Sequence, residues 1–543
     1  MNRMYRNLLI YILFMLLASF RVGAQTSWWI GFTDKSGSEY TAENPSAYLS
    51  ERALQRRQKQ GIPVDELDLP VRSEYIRQVL QLGAVCIHSS RWLNGITVRT
   101  DSVDFGQRVS ELPFVREVQI TKRNLEANKS IGNKFRTDID TGWYGASVFQ
   151  VGMLNGQYLH QQNYYGQGVQ IAVLDAGFYR ADDYQSFDSL WAQGRILGTS
   201  DFVHPGSDVF QEHWHGMCVL SVMGANIPGS LMGTAPGASY WLIRSEDVSS
   251  EFLIEEDNWV AAAEFADSAG VDIINTSLGY FLFDDSTMNH RYTDMDGRTT
   301  RVTRAADVAA SRGMLVVASA GNEGNNAWKY ILAPSDGDEV LAVAAVNKEG
   351  QPASFTSFGP ASDGDIKPNV AALGLGTAIQ QTNGLIATGS GTSYAAPVIS
   401  GMAACLWQAN PAALASQVKE AIERSAHLYS APDSLLGYGI PDFEAADQIL
   451  KLAVSEEKKS SPEWSVFPNP FRERMVVFQK KEIRSGDIKV EIMDLSGRIV
   501  WQRILPSKPV MVLNGLSGLP AGVCFLRIGN ANDLITLKLI KAE

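Results

Sequence analysis

Two stretches of the chain are apolar almost without interruption and end abruptly in polar residues. Val169-Gln170-Ile171-Ala172-Val173-Leu174 runs into Asp175-Ala176-Gly177, and Met314-Leu315-Val316-Val317-Ala318 into Ser319-Ala320-Gly321-Asn322. A strand with one wet face alternates apolar and polar residues; a run without alternation has both faces covered, as in a parallel sheet between helices. An α/β core is therefore expected around these runs. Sheets of that kind carry functional side chains at the carboxyl ends of their strands, and Asp175 stands at such an end.

A third stretch, Gly389-Ser390-Gly391-Thr392-Ser393-Tyr394-Ala395-Ala396-Pro397, leads into the small, apolar Val398 to Leu406 and reads as a glycine-rich turn opening a buried helix. A hydroxyl at the head of a helix meets unpaired N–H groups and the positive end of the dipole, which favour a developing oxyanion. Ser393 is the candidate nucleophile, although the motif alone reads equally as a turn and helix cap. His213-Trp214-His215-Gly216 begins another small, apolar helix. His215 is the better general base, because Gly216 leaves room for close approach of another segment, and His213 is expected to be a solvated loop residue. Helix-borne metal pairs usually lie four residues apart, and no third ligand is near in sequence, so no metal is expected there. Asn322, flanked by glycine, reads either as a turn residue or as a neutral donor to an oxyanion.

In the order Asp175, His215, Asn322, Ser393, these blocks together resemble the catalytic blocks of the subtilisin-like (subtilase) serine proteases, over about residues 141 to 450. Met217-Cys218 departs from the family, which usually has a small hydroxyl residue after His-Gly; no triad atom is lost. The resemblance implies a three-layer domain with a central parallel sheet. It implies that Ser393 attacks a peptide carbonyl, His215 carries the proton, Asp175 orients the imidazole, and Asn322 helps hold the oxyanion. It also implies that Ser277, Leu278 and Gly279 pair with an extended substrate, with Ala318, Ser319 and Ala320 lining the other side and the primary pocket. No cofactor enters such chemistry, and structural calcium is left open. Asp294-Met295-Asp296-Gly297 looks like a calcium loop, but Tyr292 occupies the position where an EF-hand needs Asp, so a surface turn is expected. The acidic stretch from Glu246 to Asp257 is read as a solvated face, with a preference for basic substrate positions as the other reading. A catalytically silent peptide-binding protein on the same scaffold is the alternative function, and an exopeptidase or dedicated maturation protease is a third.

The remaining sequence surrounds that domain. With 543 residues the chain holds several domains, and a net charge of −12 argues against nucleic acid as the main partner. Residues 1–24, with Arg3, Arg6 and the apolar Leu8 to Phe20, read as a signal peptide too short to anchor in a bilayer. Residues 25–140 suggest a small α+β module of two helices on an antiparallel sheet, with Glu51 to Gln60 as an exposed helix and a cleavable linker at Thr121 to Ser130. The subtilase resemblance makes this module an inhibitory pro-domain. Residues 451–462 read as a charged linker, and 463–543 as a small all-β sandwich. Phe467-Pro468-Asn469-Pro470-Phe471, Asp494-Leu495-Ser496-Gly497-Arg498, Leu519-Pro520-Ala521-Gly522-Val523 and Leu537-Lys538-Leu539-Ile540-Lys541 resemble the sorting domain of the type IX secretion system of Bacteroidetes. That implies a secreted or outer-membrane surface protein without a transmembrane anchor. The four cysteines leave one bridge possible, with Cys218 and Cys405 as the pair in question.

Overall fold

The computed structural model of the chain describes residues 25–123, 142–460, 464–467, 469–479, 487–506, 508, 510–530 and 533–542. The expected signal segment, and all but the first three residues of the expected linker Thr121 to Ser130, lie outside them. The chain divides into two compact units, Met1–Lys451 and Leu452–Glu543.

The first unit opens with four antiparallel strands, β1 (Thr26–Phe32), β2 (Val85–Ser90), β3 (Gly95–Thr100) and β4 (Val115–Lys122), in the order β2-β3-β1-β4. Three helices accompany them: α1 (Glu51–Gln60), α2 (Ser73–Leu80) and α3 (Phe105–Ser110). Ile30, Phe32, Ile96 and Val98 of the sheet meet Tyr75 and Val79 of α2 and Phe105 and Val109 of α3 in one core. This is the expected two-helix layer on an antiparallel sheet.

Helix α1 corrects an expectation. Its charge predicts an exposed helix, yet Arg56 and Arg57 are 5% and 1% exposed. Asp267, on the helix Ile254–Ala269, accepts from Arg56, from Arg57 at 2.7 Å and from Arg91 at 2.6 Å. Arg57 also pairs with Asp68 at 2.8 Å. Guanidinium groups met by carboxylates on several sides can be buried where a lone charge could not. The same helix receives β2, through His88 Nε2 to Asn258 at 2.8 Å and the Ser90 hydroxyl to Glu264 at 2.6 Å.

Seven parallel strands follow: β5 (Gln170–Asp175), β6 (Ile196–Asp201), β7 (Ser239–Arg244), β8 (Ile273–Thr276), β9 (Leu315–Ser319), β10 (Leu341–Val346) and β11 (Val370–Leu373). Their order is β11-β10-β9-β8-β5-β7-β6. Every residue of β8 to β11 is buried, as runs without alternation require. β5 sends Ile171 and Val173 to one layer, with α4 (His215–Gly224), and Ala172 and Leu174 to the other, with α5 (Ile254–Ala269) and α6 (Arg301–Ser311). The helix α7 (Thr392–Ala409) completes the first layer. The result is three layers, with the carboxyl ends of the strands along one edge.

The last helix, α8 (Phe443–Ser460), runs past the point near Leu452 where the sequence reading ended it, so most of the expected linker at 451–462 is helical. Glu456, Glu457, Lys458 and Lys459 are good helix formers, and their charge does not stop the helix. In the second unit, Trp464–Phe467, Arg474–Gln479 and Val510–Asn514 form one antiparallel sheet; Ile499–Pro506, Asp487–Met493, Gly522–Asn530 and Asp533–Lys541 form another. Met475, Leu513, Ile492 and Leu526 of the two sheets share a core, which gives the expected all-β sandwich. Among the described residues no helix is long and apolar enough to cross a membrane. All four cysteines are free, so Cys218 and Cys405 do not pair.

Candidate active site

Asp175 ends β5 opposite Arg244 of β7, and its carbonyl accepts the Ser245 N–H at 3.0 Å. Its carboxylate is wholly buried. Oδ1 accepts the Ala176 N–H at 2.8 Å and lies 2.8 Å from His215 Nδ1; Oδ2 has no hydrogen-bond partner among the described residues. His215 opens α4, and Gly216 after it is what permits the approach. A Cβ at 216 would stand 2.6 Å from the Gly177 carbonyl oxygen and 2.8 Å from Asp175 Cβ. Burial disfavours the His215 imidazolium, but the Asp175 carboxylate, by charge and by hydrogen bond, and Glu246 outweigh it, and the pKa is raised above 6.5. His213 is half-buried rather than solvated, because its loop packs on the segment after Asp175 and its carbonyl accepts the Tyr179 N–H at 3.3 Å. Burial first, then the charge of His215, lowers its pKa.

Ser393 is the second residue of α7, behind Gly391 at the cap. Its hydroxyl donates to the Ser277 carbonyl at 3.3 Å, and the Ser277 hydroxyl donates to the Ser393 carbonyl at 2.8 Å. The serine thus bonds the wall of the cleft rather than the imidazole, while Ser393 and His215 line one cavity of about 360 Å³. Asn322 follows β9 and lines the same cavity. Its Oδ1 accepts from the Thr392 N–H at 2.9 Å and the Thr392 hydroxyl at 3.0 Å, and that hydroxyl oxygen accepts the Gly321 N–H at 3.2 Å. With the oxygen so occupied, Nδ2 is the donor the amide offers to the cavity. Thr392 is a residue that sequence reasoning passed over; its one signal was its place beside Ser393.

The other predicted residues lie deeper. Ser277 is tied to Ser393, and Leu278 is 6% exposed. A Cβ on Gly279 would come within 2.8 Å of the Leu332 side chain. Ala318 and Ala320 are wholly buried and Ser319 nearly so. Ala318 packs in the layer of Trp259, and Ala320 packs with Ile331 and Ala361. None of these six lines the cavity, whose walls include Trp214, Tyr394 and Cys218. The Cys218 thiol donates to the Gln380 carbonyl at 3.1 Å; burial, then the charge of Asp175, pushes it up to about 12, so it stays neutral behind the imidazole.

The acidic stretch is not the solvated face expected of it. Glu255, Glu256 and Asp257 are 0%, 1% and 3% exposed. Glu256 pairs with His290, and Asp257 with Arg301 at 2.8 Å. Glu246, Glu251 and Glu255 bring carboxylate oxygens within 4.8 Å of one another, and the Tyr280 hydroxyl donates to Glu246 at 3.3 Å. Asp294 to Gly297 is a turn, in which Asp296 accepts the N–H groups of Arg298 and Thr299 at 3.0 and 2.8 Å.

Comparison with known proteins follows this layout. The family model described as the subtilase family matches residues 166–439; that of the peptidase S8 propeptide domain of Bacteroidota matches 27–136; and that of a secretion system C-terminal sorting domain matches 465–542. A thermostable alkaline protease of Halalkalibacterium halodurans is 26% identical over 341 residues, covering 62% of this chain and 84% of that protein. Subtilisin NAT of Bacillus subtilis subsp. natto is 29% identical over 314 residues, covering 56% and 72%. Among solved structures, MycP1 with its N-terminal propeptide removed superposes with a TM-score of 0.44 at 21% identity, over 55% of this chain and 96% of that one.

Proposed function

Because the chain belongs to the subtilase family and is a subtilisin-like serine peptidase, we propose that it is a secreted endopeptidase acting through an acyl-enzyme. In this reading Ser393 is the nucleophile, His215 the base, Asp175 its orienting carboxylate and Asn322 an oxyanion donor. The observation that carries it is the 2.8 Å contact of His215 Nδ1 with Asp175 Oδ1, in a cavity that also holds a serine at a helix head.

With Nδ1–H held by Asp175, Nε2 is the basic nitrogen. The Ser393 hydroxyl exchanges the Ser277 carbonyl for Nε2, and its oxygen attacks the scissile carbonyl as the proton passes to the imidazole. The imidazolium returns that proton to the leaving amine, and water repeats the sequence on the ester. The oxyanion is met by Asn322 Nδ2 and the Ser393 N–H. No step takes a cofactor. An extended substrate lies along Ser277–Gly279 by backbone pairing, with Ala318–Ala320 beyond it. The propeptide, seated on α5, holds the enzyme latent until it is cut away. The C-terminal sorting domain implies export by the type IX system; we place the product on the outer surface or free in the medium, after a signal peptide brings it out of the cytoplasm.

The test is labelling of the processed protein with a fluorophosphonate, with peptide mapping of the adduct and Ser393→Ala as control. Labelling at Ser393 alone, lost in the variant, is expected. A folded, processed protein that takes no label overturns the reading in favour of a silent peptide-binding protein.

A further inference from the structure

Three adjacent strands bring charged residues to one edge of the sheet. Arg244 ends β7, in register with Asp175 at the end of β5 on one side and with Asp201 at the end of β6 on the other. The backbone stitches these ends together: the Ser245 N–H donates to the Asp175 carbonyl at 3.0 Å, and the Phe202 N–H to the Arg244 carbonyl at 2.8 Å. Arg244 is 3% exposed, so its guanidinium must be answered inside the protein. Each of its nitrogens meets a different segment. Nε donates to the carbonyl of Ala176, the residue after Asp175, at 3.2 Å. Nη1 lies 3.0 Å from Asp201 Oδ2 and 3.2 Å from His204 Nδ1, which must accept because a guanidinium only donates. Nη2 lies 3.2 Å from Glu212 Oε2, three residues before His215.

That last contact matters because the start of α4 has no side-chain cap of its own. The residue at its head is Trp214, whose side chain makes no capping hydrogen bond. The loop ahead of it leans instead on the segment after Asp175. The Phe178 N–H donates to the Val209 carbonyl at 2.9 Å, the Arg180 N–H to the Phe210 carbonyl at 3.0 Å and the Tyr179 N–H to the His213 carbonyl at 3.3 Å. The two backbones touch, for a Cβ on Gly177 would stand 2.5 Å from the His213 nitrogen. Arg244 bonds both, the segment at Ala176 and the loop at Glu212, and ties them to Asp201, which accepts the N–H groups of Val203 and His204 at 2.8 and 2.7 Å. A guanidinium is planar and rigid, so its three directions are fixed relative to one another; an ammonium on a flexible stem has the charge without the fork. The 2.8 Å contact of His215 Nδ1 with Asp175 Oδ1 joins the same two pieces of chain. A displacement of about 1 Å in such a contact costs about 10²-fold in rate.

We propose that Arg244 is a positioning residue for the pair Asp175 and His215: by bonding Ala176, Asp201 and Glu212 at once, it holds the loop that delivers His215 against the strand end that carries Asp175. This rests on the peptidase reading above.

The test is the kcat of processed Arg244→Lys, Glu212→Ala and Glu212→Gln on one peptide substrate, expressed per site that a fluorophosphonate labels to completion, so that unfolded protein is not counted. Arg244→Lys keeps the charge and loses the fork; it is expected to lower kcat by about 10²-fold with KM within about threefold of the wild type. Glu212→Ala should lower kcat by about tenfold. Glu212→Gln, whose amide oxygen still accepts from Nη2, should stay within about threefold of the wild type. The second readout is the far-downfield proton resonance of His215 Nδ1–H, assigned by its absence from His215→Ala. It is expected to shift or broaden in Arg244→Lys and Glu212→Ala and to keep its place in Glu212→Gln. A kcat of Arg244→Lys near that of the wild type overturns the proposal. So does a fall in kcat with the resonance unmoved, which places the effect elsewhere, and so does a rise in KM alone, which makes Arg244 part of substrate binding. Where Arg244→Lys gives no processed protein, the two Glu212 variants decide, and equal kcat in both overturns the role. A wild type that neither takes label nor cleaves any peptide overturns the peptidase reading, and the role of Arg244 with it.

Discussion

Burial alone would strip His215 of its proton; the charge of Asp175, its hydrogen bond and the charge of Glu246 reverse that and raise the pKa above 6.5. A base must be neutral, so a raised pKa moves the loss of activity on the acid side to higher pH. The acid limb of kcat/KM is expected above pH 6.5, and Glu246→Gln is expected to move it down; a limb below 6.5 in the wild type contradicts the assignment. Asn322→Ala should lower kcat by about 10²–10³ with KM little changed, a magnitude carried over from subtilisin itself. Asp175, His215, Asn322 and Ser393 were legible because each follows a buried apolar run or opens a helix. Thr392 and Arg244 were not. The role of Thr392 is to hold the Asn322 oxygen through a backbone N–H and a hydroxyl, which no residue pattern announces. The reach of Arg244 to three segments depends on how their loops fold back over its strand end.

Helix α5 is at once a layer of the core and the seat of the propeptide. Its Asp267 answers Arg56, Arg57 and Arg91, so Asp267→Asn leaves three guanidinium groups short of one charge. Breaking a buried pair of this kind costs about 3–5 kcal/mol. In a Ser393→Ala background the substitution is expected to expose the first 120 or so residues to added protease at concentrations the parent resists. Gly216 is the corresponding point on α4. A methyl group there has a backbone oxygen at 2.6 Å and the Cβ of Asp175 at 2.8 Å, so Gly216→Ala should push His215 off its carboxylate. Expected is a loss of fluorophosphonate labelling in protein whose circular dichroism keeps its helix and strand content. The α/β character and the antiparallel pro-domain could be read from periodicity, but the burial of Arg56 and Arg57 on one side of α1 could not. Charge density along a helix says nothing of the carboxylate that another domain will supply.

Across the whole chain, several carboxyl groups are held protonated to higher pH than in an unfolded chain. Burial raises Glu246 to about 7 and Asp257 and Asp307 to about 6, and raises Glu255 and Glu264 as well. A carboxyl raised in this way contributes stability that is full below its unfolded value near 4 and is lost as pH rises through its folded value. His215 and His290, also raised, lose their contributions in the same direction, whereas His88, His160 and His213, lowered by burial, oppose it as pH rises toward 6.5. The full-length Ser393→Ala protein should therefore show a Tm that falls between about pH 6.5 and pH 8. A Tm that rises across that window contradicts the charge arrangement. The succession of propeptide, α/β domain and β-sandwich was legible from composition and motifs. The neighbour order of the seven strands was not, because it depends on the path of the crossovers rather than on any one segment. That order has a consequence for the cell that makes the protein. Asp175 leaves the ribosome long before Ser393, and the two meet only when α7, made after β8 and β9, has packed on the sheet. A chain that ends before α7 lacks Ser393 altogether, so on the reading proposed above it is an inert fragment.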